Sequence, residues 1–323
     1  MPILDRPFAA RPAASLMQHA VAIATKLMRR EASGTSSPYN RLREYPRRTR
    51  ELSIPTSVAP APVVIYTPEA SKQRPAVHVN FHGGGFVLPQ HGYDDPLCRF
   101  LAAEAGVVVI DVDYVVAPQH PFPAPTQQAF EVVKWVAAHG VEQGWDGSRL
   151  TVGGQSAGGS LAAAVARQAL EQGGPALALQ VLHYPALDLL TPRRAKRSSI
   201  ARPMLRPWMC DVFDNSYVPD RAQRADRLVS PANPLDTANL TGIAPAVVIT
   251  PEQDILHLEA KRYAERLQRH AALVAYHEIP NVDHSYDMKD FSLAREVYAL
   301  IAQHIQRATA QPAHLAQDST GAP

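Results

Sequence analysis

The sequence predicts an α/β protein: an eight-stranded, mostly parallel sheet with helices on both faces. Eight short β-branched runs recur along the chain, and the later ones alternate with stretches of helical periodicity. Runs that are apolar throughout, rather than at every second residue, belong to strands buried on both faces. Parallel neighbours need crossovers, and the crossover helices supply that cover. A third observation is the punctuation: 29 of the 323 residues are proline, against a usual share of about 5%. They fall between the apolar runs rather than inside them, as in a chain of many short elements.

The elements follow in order. Leu16, Ala20, Ile23 and Leu27 recur at helical spacing. Residues 13–30 therefore read as an amphipathic helix packed on the body, as a cap over a site, or as a foot on a membrane surface. Residues 31–47, rich in serine and arginine, read as an exposed connection. Strands are expected at 48–54, 62–67, 75–81, 106–113, 149–153, 177–183, 245–250 and 272–279. Helices are expected at 94–105, 126–139, 157–172, 255–270 and 290–307. Residues 186–244 break the alternation, with Pro192, Pro203, Pro207 and Pro219 among Trp208, Met209 and Phe213, the pattern of an inserted segment. The expected organisation is an N-terminal cap helix and connection over 1–47, a core over 48–185 and 245–307, an inserted helical cap over 186–244, and a mobile tail over 308–323.

Composition narrows the class. Lys and Arg number 32 against 30 Asp and Glu, and hydrophobic residues make up 46%, which fits a globular protein and gives no reason to expect a nucleic-acid partner. Cys98 and Cys210 are too few for a disulfide framework, and no Cys/His cluster has zinc spacing, so a reduced setting and no metal are expected. The run 13–28 holds Gln18, His19 and Lys26 and ends at Arg29 and Arg30, too polar to span a bilayer. Its charge follows the apolar stretch, whereas a secretory signal carries charge first. An unprocessed, cytoplasmic chain is expected, with membrane association at most peripheral, through residues 13–30. The oligomeric state is not legible.

Four features converge on one chemistry. Gly154-Gln155-Ser156-Ala157-Gly158 follows the run RLTVG and precedes a helix-patterned stretch. That is the strand-to-helix turn in which a serine is held strained with its hydroxyl exposed, the glycines relieving backbone crowding. His82-Gly83-Gly84-Gly85-Phe86 follows another strand. Glycines there let a carbonyl come close to backbone N–H groups, so Gly83, Gly84 and Ala157 are the expected oxyanion donors, with His82 orienting the loop. Asp254, in the loop after the strand PAVVIT, is the candidate acid, and Glu252 its rival. His284, just past the last strand, is the candidate base, ahead of His277 within that strand and His270 at a helix end. Asp283 is adjacent to the base and so poorly placed to orient it. The order Ser156, Asp254, His284 is the triad order of α/β-hydrolases and not that of the chymotrypsin or subtilisin classes.

Together HGGGF, GQSAGG, DYVVAPQHPFPAP, YPALD at Tyr184–Asp188 and TPEQDIL resemble the hormone-sensitive lipase-like carboxylesterases, over residues 60–305. The resemblance implies hydrolysis of carboxylic esters, with short or medium acyl chains, by a cap-covered α/β-hydrolase without cofactor. It implies Ser156 as nucleophile, His284 as base, Asp254 as acid, and Gly83, Gly84 and Ala157 as oxyanion donors. An interfacial lipase and an amide or peptide hydrolase use the same triad. A small-molecule receptor on the same fold is disfavoured because Ser156, Asp254 and His284 are all present. The sequence departs from the family where an acid, a base and an acid are replaced by Gln155, Val115 and Gln119. Their joint neutrality leads to the expectation that the three positions form one local network behind the serine, since a single buried charge left unpaired is costly.

Overall fold

The computed structural model describes residues 6–30, 41–69, 74–89 and 92–310. Eight strands form one sheet: β1 (Thr49–Ile54), β2 (Ala61–Tyr66), β3 (Ala76–Phe81), β4 (Val108–Val112), β5 (Asp146–Gln155), β6 (Leu177–His183), β7 (Ala246–Pro251) and β8 (Leu273–Ile279). Their spatial order is β1-β2-β4-β3-β5-β6-β7-β8. The pairs β1–β2 and β2–β4 are antiparallel, and every pair from β4–β3 to β7–β8 is parallel.

Alternate residues of each strand enter separate cores. Val63 and Ile65 of β2, Ile110 of β4 and Val248 of β7 face a core shared with α3 (Ala124–Ala138), α5 (Ala157–Gln172) and α7 (His257–Arg269). Val64 and Tyr66, Val109, Val247 and Ile249 face the other, shared with α2 (Asp95–Glu104) and α8 (Phe291–Ala310). The two-residue period of the strand is what makes one continuous apolar run serve both faces. Edge strands β1 and β8 are more exposed than the fully buried β3 and β4.

Two helices, α4 (Gly140–Gln143) and α6 (Pro207–Tyr217), were not individually expected. The second lies in the proline-rich segment, with Pro207 in its first turn, where a missing N–H costs nothing. The helix α8 runs to Ala310, so the expected tail begins later than 308, and 311–323 lie outside the described residues, as do 31–40 of the expected connection.

The first helix, α1 (Pro7–Arg30), starts earlier than expected and buries a different face. Ala10 and Ala14 are buried, with Ala13, Met17 and Val21 beside them, while Leu16 and Ile23 point outward. Leu27 lies outside the described side chains. An alanine-rich helix offers apolar residues on several faces. Packing selects the face turned towards α6, against which α1 lies. Among the described residues no helix is long and apolar enough to cross a membrane.

Candidate active site

The carboxyl ends of β3, β5, β7 and β8 point to one edge of the sheet, where open α/β sheets bind their ligands. At the end of β5 the chain turns sharply into α5. Ser156 has φ 54° and ψ −116°, a conformation held only because its surroundings determine it. A Cβ on Gly158 would lie 1.8 Å from the Phe81 carbonyl oxygen, and one on Gly154 2.3 Å from the same atom. Only glycine fits at either place. The Ser156 N–H donates to the His183 carbonyl at 2.9 Å, tying the turn to β6.

Ser156 Oγ lies 3.0 Å from Nε2 of His284, whose Nδ1 lies 2.6 Å from Oδ2 of Asp254. All three side chains are buried. The second oxygen of Asp254 accepts the N–H of Leu256 at 3.0 Å, which fixes the carboxylate in its loop. The rival residues are engaged elsewhere. Glu252 accepts the Asn281 N–H at the surface, Asp283 accepts the Met204 N–H, and His277 pairs with His304.

Gly83, Gly84 and Ser156 line one cavity of about 580 Å³. Gly84 has φ 112°, a backbone state closed to other residues, which gives the glycine run a steric reason. Ala157 is the first residue of α5, so its N–H has no carbonyl one turn back within the helix. His82 is buried, stacks on Tyr114 at 4.3 Å between ring centroids, and bonds through Nδ1 to the Gly83 carbonyl oxygen. That bond lies within the glycine loop itself.

The cavity has an apolar wall and a polar one. Met204, Leu205, Met209 and Phe213, on and before α6, form the first. Burial pushes the Cys210 thiol, also at this wall, up to about 11, so it is neutral and no competing nucleophile. Arg193 and Asp214 close this end with two hydrogen bonds of 3.0 and 3.1 Å that tie α6 to the preceding turn. The polar wall contains Gln155, Tyr184, Asp287 and Tyr298.

A model of the α/β hydrolase fold family matches residues 78–288. The chain is 34% identical over 227 residues, 70% of each protein, to the carboxylesterase NlhH of Mycobacterium tuberculosis. It is 32% identical over 299 residues, 88% of this chain and 92% of the relative, to the esterase LipI of the same species. The hyperthermophilic esterase of Pyrobaculum calidifontis superposes with a TM-score of 0.81 at 30% identity, covering 92% of this chain and 94% of that one. The chain belongs to the hormone-sensitive lipase-like carboxylesterases of the α/β-hydrolase superfamily.

One expectation about the family's departures fails. Gln155, Val115 and Gln119 do not form one network. Gln155 is buried and donates to Asp287 Oδ2 at 2.9 Å; Gln119 is exposed and pairs with Gln18 of α1; the Val115 N–H donates to Gln128. Each position is tied to a different part of the chain, and at 115 only the backbone N–H is engaged. Sequence reasoning also missed Asp287. It lies between Asp283 and Asp290 in one loop, and nothing in composition or spacing separates the three.

Proposed function

We propose that this chain hydrolyses short- to medium-chain carboxylic esters by two-step acyl transfer on Ser156. The observation that carries the reading is the unbroken contact series from Ser156 Oγ through His284 to Asp254. His284 Nε2 takes the hydroxyl proton as Oγ bonds to the ester carbonyl carbon. The carbonyl oxygen becomes negative facing the N–H groups of Gly83, Gly84 and Ala157. Collapse of this intermediate breaks the bond to the alcohol, which leaves with the proton from the imidazolium. Water then repeats the sequence on the acyl-enzyme, releasing acid and free Ser156. Asp254 holds the imidazole in the tautomer with Nδ1–H and stabilises its cation. To accept the hydroxyl proton the imidazole must be neutral at Nε2.

The apolar wall from α6, together with α1 behind it, acts as a cap that sets acyl length. Cys98 and Cys210 are both buried free thiols, which suits a reduced, cytoplasmic setting. A second reading rests on α1, where Phe8, Leu16 and Ile23 are 68%, 73% and 62% exposed. Such an outward apolar stripe supports peripheral contact with lipid and turnover at an interface.

A p-nitrophenyl ester series from acetate to palmitate, run with the wild type and with Ser156→Ala, tests both. The expected result is a maximum at short or medium chains and a loss of at least about a thousandfold in the variant. Rates that climb only with long chains above their solubility limit would favour the interfacial reading. A folded Ser156→Ala that keeps its activity would remove Ser156 as nucleophile.

A further inference from the structure

Behind the contact between Ser156 and His284 lies a second buried carboxylate that the mechanism does not use. Asp287 is 3% exposed and sits three residues after His284, in a 3-10 turn spanning Tyr286–Met288. Its Oδ1 accepts the Tyr184 hydroxyl at 2.9 Å. Its Oδ2 accepts the Gln155 side-chain amide and the Tyr298 hydroxyl, each at 2.9 Å. Four segments meet on this one group: the end of β5, the residue after β6, the histidine loop and α8.

Two of the three donors touch the proposed triad. Gln155 is covalently joined to Ser156, so fixing its side chain fixes the approach to the strained turn. Tyr184 packs its ring edge-on against the His284 imidazole, 4.8 Å between centroids at 64°. Burial, reinforced by the charge of Asp287, holds the Tyr184 and Tyr298 hydroxyls well above their ordinary range, so both remain donors. An ionised carboxylate accepts only, and here each of its three partners has a proton to give. Charge-assisted bonds of this kind are stronger and more directional than neutral ones.

We propose that Asp287 is a positioning residue: by binding Gln155 and Tyr184 at once, it holds Ser156 and His284 at proton-transfer distance. The proposal rests on the triad reading given above. Asparagine at 287 has the same shape but only one accepting oxygen. If that oxygen keeps Gln155 and Tyr298, the amide nitrogen faces Tyr184, whose hydroxyl must then accept instead of donate, and the charge-assisted bond that steadies His284 becomes a weaker neutral one.

The test is steady-state kinetics on p-nitrophenyl butyrate for the wild type, Ser156→Ala, Asp287→Asn, and the double variant Gln155→Glu/Asp287→Asn. The double variant restores an amide–carboxylate pair with its polarity reversed. Asp287→Asn is expected to lose about tenfold in kcat with KM within about twofold, because positioning acts on the reacting geometry and not on substrate affinity. The double variant is expected to recover most of that loss. Wild-type kcat in Asp287→Asn, or a double variant no faster than Asp287→Asn alone, would overturn the proposal. Should Asp287→Asn not fold, Tyr184→Phe and Tyr298→Phe decide it: Tyr184→Phe should cost more, and equal losses would overturn it. An active Ser156→Ala would instead bring down the triad reading, which keeps the two failures distinct.

Discussion

On the Ser156 side of the candidate centre, geometry is imposed by backbone; on the His284 side it is imposed by side chains. The serine turn is crowded so closely that a Cβ on Gly158 would meet the Phe81 carbonyl at 1.8 Å. The histidine stands in a loop that contains no glycine. Its place is set by hydrogen bonds to Asp254 and by the node of Gln155, Tyr184 and Tyr298 around Asp287. Steric confinement is all-or-none, and its mark in the chain, glycine close on either side of Ser156, is contiguous although the crowding atom comes from β3. A hydrogen-bonded loop draws on distant segments and yields by degrees, so substitutions on the histidine side should give a graded series of losses.

The largest of these is expected at Asp254. Asp254→Asn keeps the shape of the side chain but removes the charge that fixes the imidazole tautomer. It should lower kcat by about 10³ to 10⁴, far beyond the tenfold at Asp287, because one carboxylate touches the imidazole and the other only its surroundings. Steady-state kinetics on one ester measures both. A loss at Asp254 no greater than at Asp287 would erase the distinction between the acid and the positioning residue.

An intermediate effect is expected on stability, through His183. This residue ends β6, is buried, and bonds through Nε2 to the Tyr286 hydroxyl at 2.8 Å. Burial lowers its pKa to about 4, and among the described residues its Nδ1 has no hydrogen-bond partner. The unfolded chain takes up that proton near the ordinary histidine value, at higher pH. Between the two values protons favour unfolding, so stability falls as pH falls through that window. Going from pH 7 to pH 5, His183 should account for a loss of about 2 kcal/mol. Urea unfolding at both pH values, for the wild type and His183→Gln, measures it. An unchanged pH slope in the variant would show that the histidine side is not the titrating half.

The same contrast governs what could be read from the sequence. The Ser156 half was legible because its causes are contiguous: a strand, a glycine-flanked serine and a helix occur in one stretch. The strands were legible because burial on both faces leaves continuous apolar runs. Asp254 and His284 are legible from their places just after strands. Asp287 was not, because its role arises from Gln155, Tyr184 and Tyr298, which are separated by 29 and 114 positions in the chain. The packing face of α1 was misread for a related reason. Helical spacing identifies a stripe, but only the partner, α6, decides which stripe is covered.

The smallest effect is expected at Glu252, the other acid in the Asp254 loop. It lies at the surface, and its carboxylate accepts the Asn281 N–H at 2.8 Å. Glutamine at 252 retains an oxygen that can accept the same bond, so Glu252→Gln should leave kcat within about twofold and stability within about 0.5 kcal/mol. The variant matters because Glu252 and Asp254 are two positions apart on one loop and differ chiefly in which direction they face. If orientation towards His284 is what makes an acid functional, removing one charge should stop the reaction almost entirely and removing the other should pass unnoticed. A loss approaching that of Asp254→Asn would mean that the loop's total charge, rather than the single contact at Oδ2, supports the imidazole.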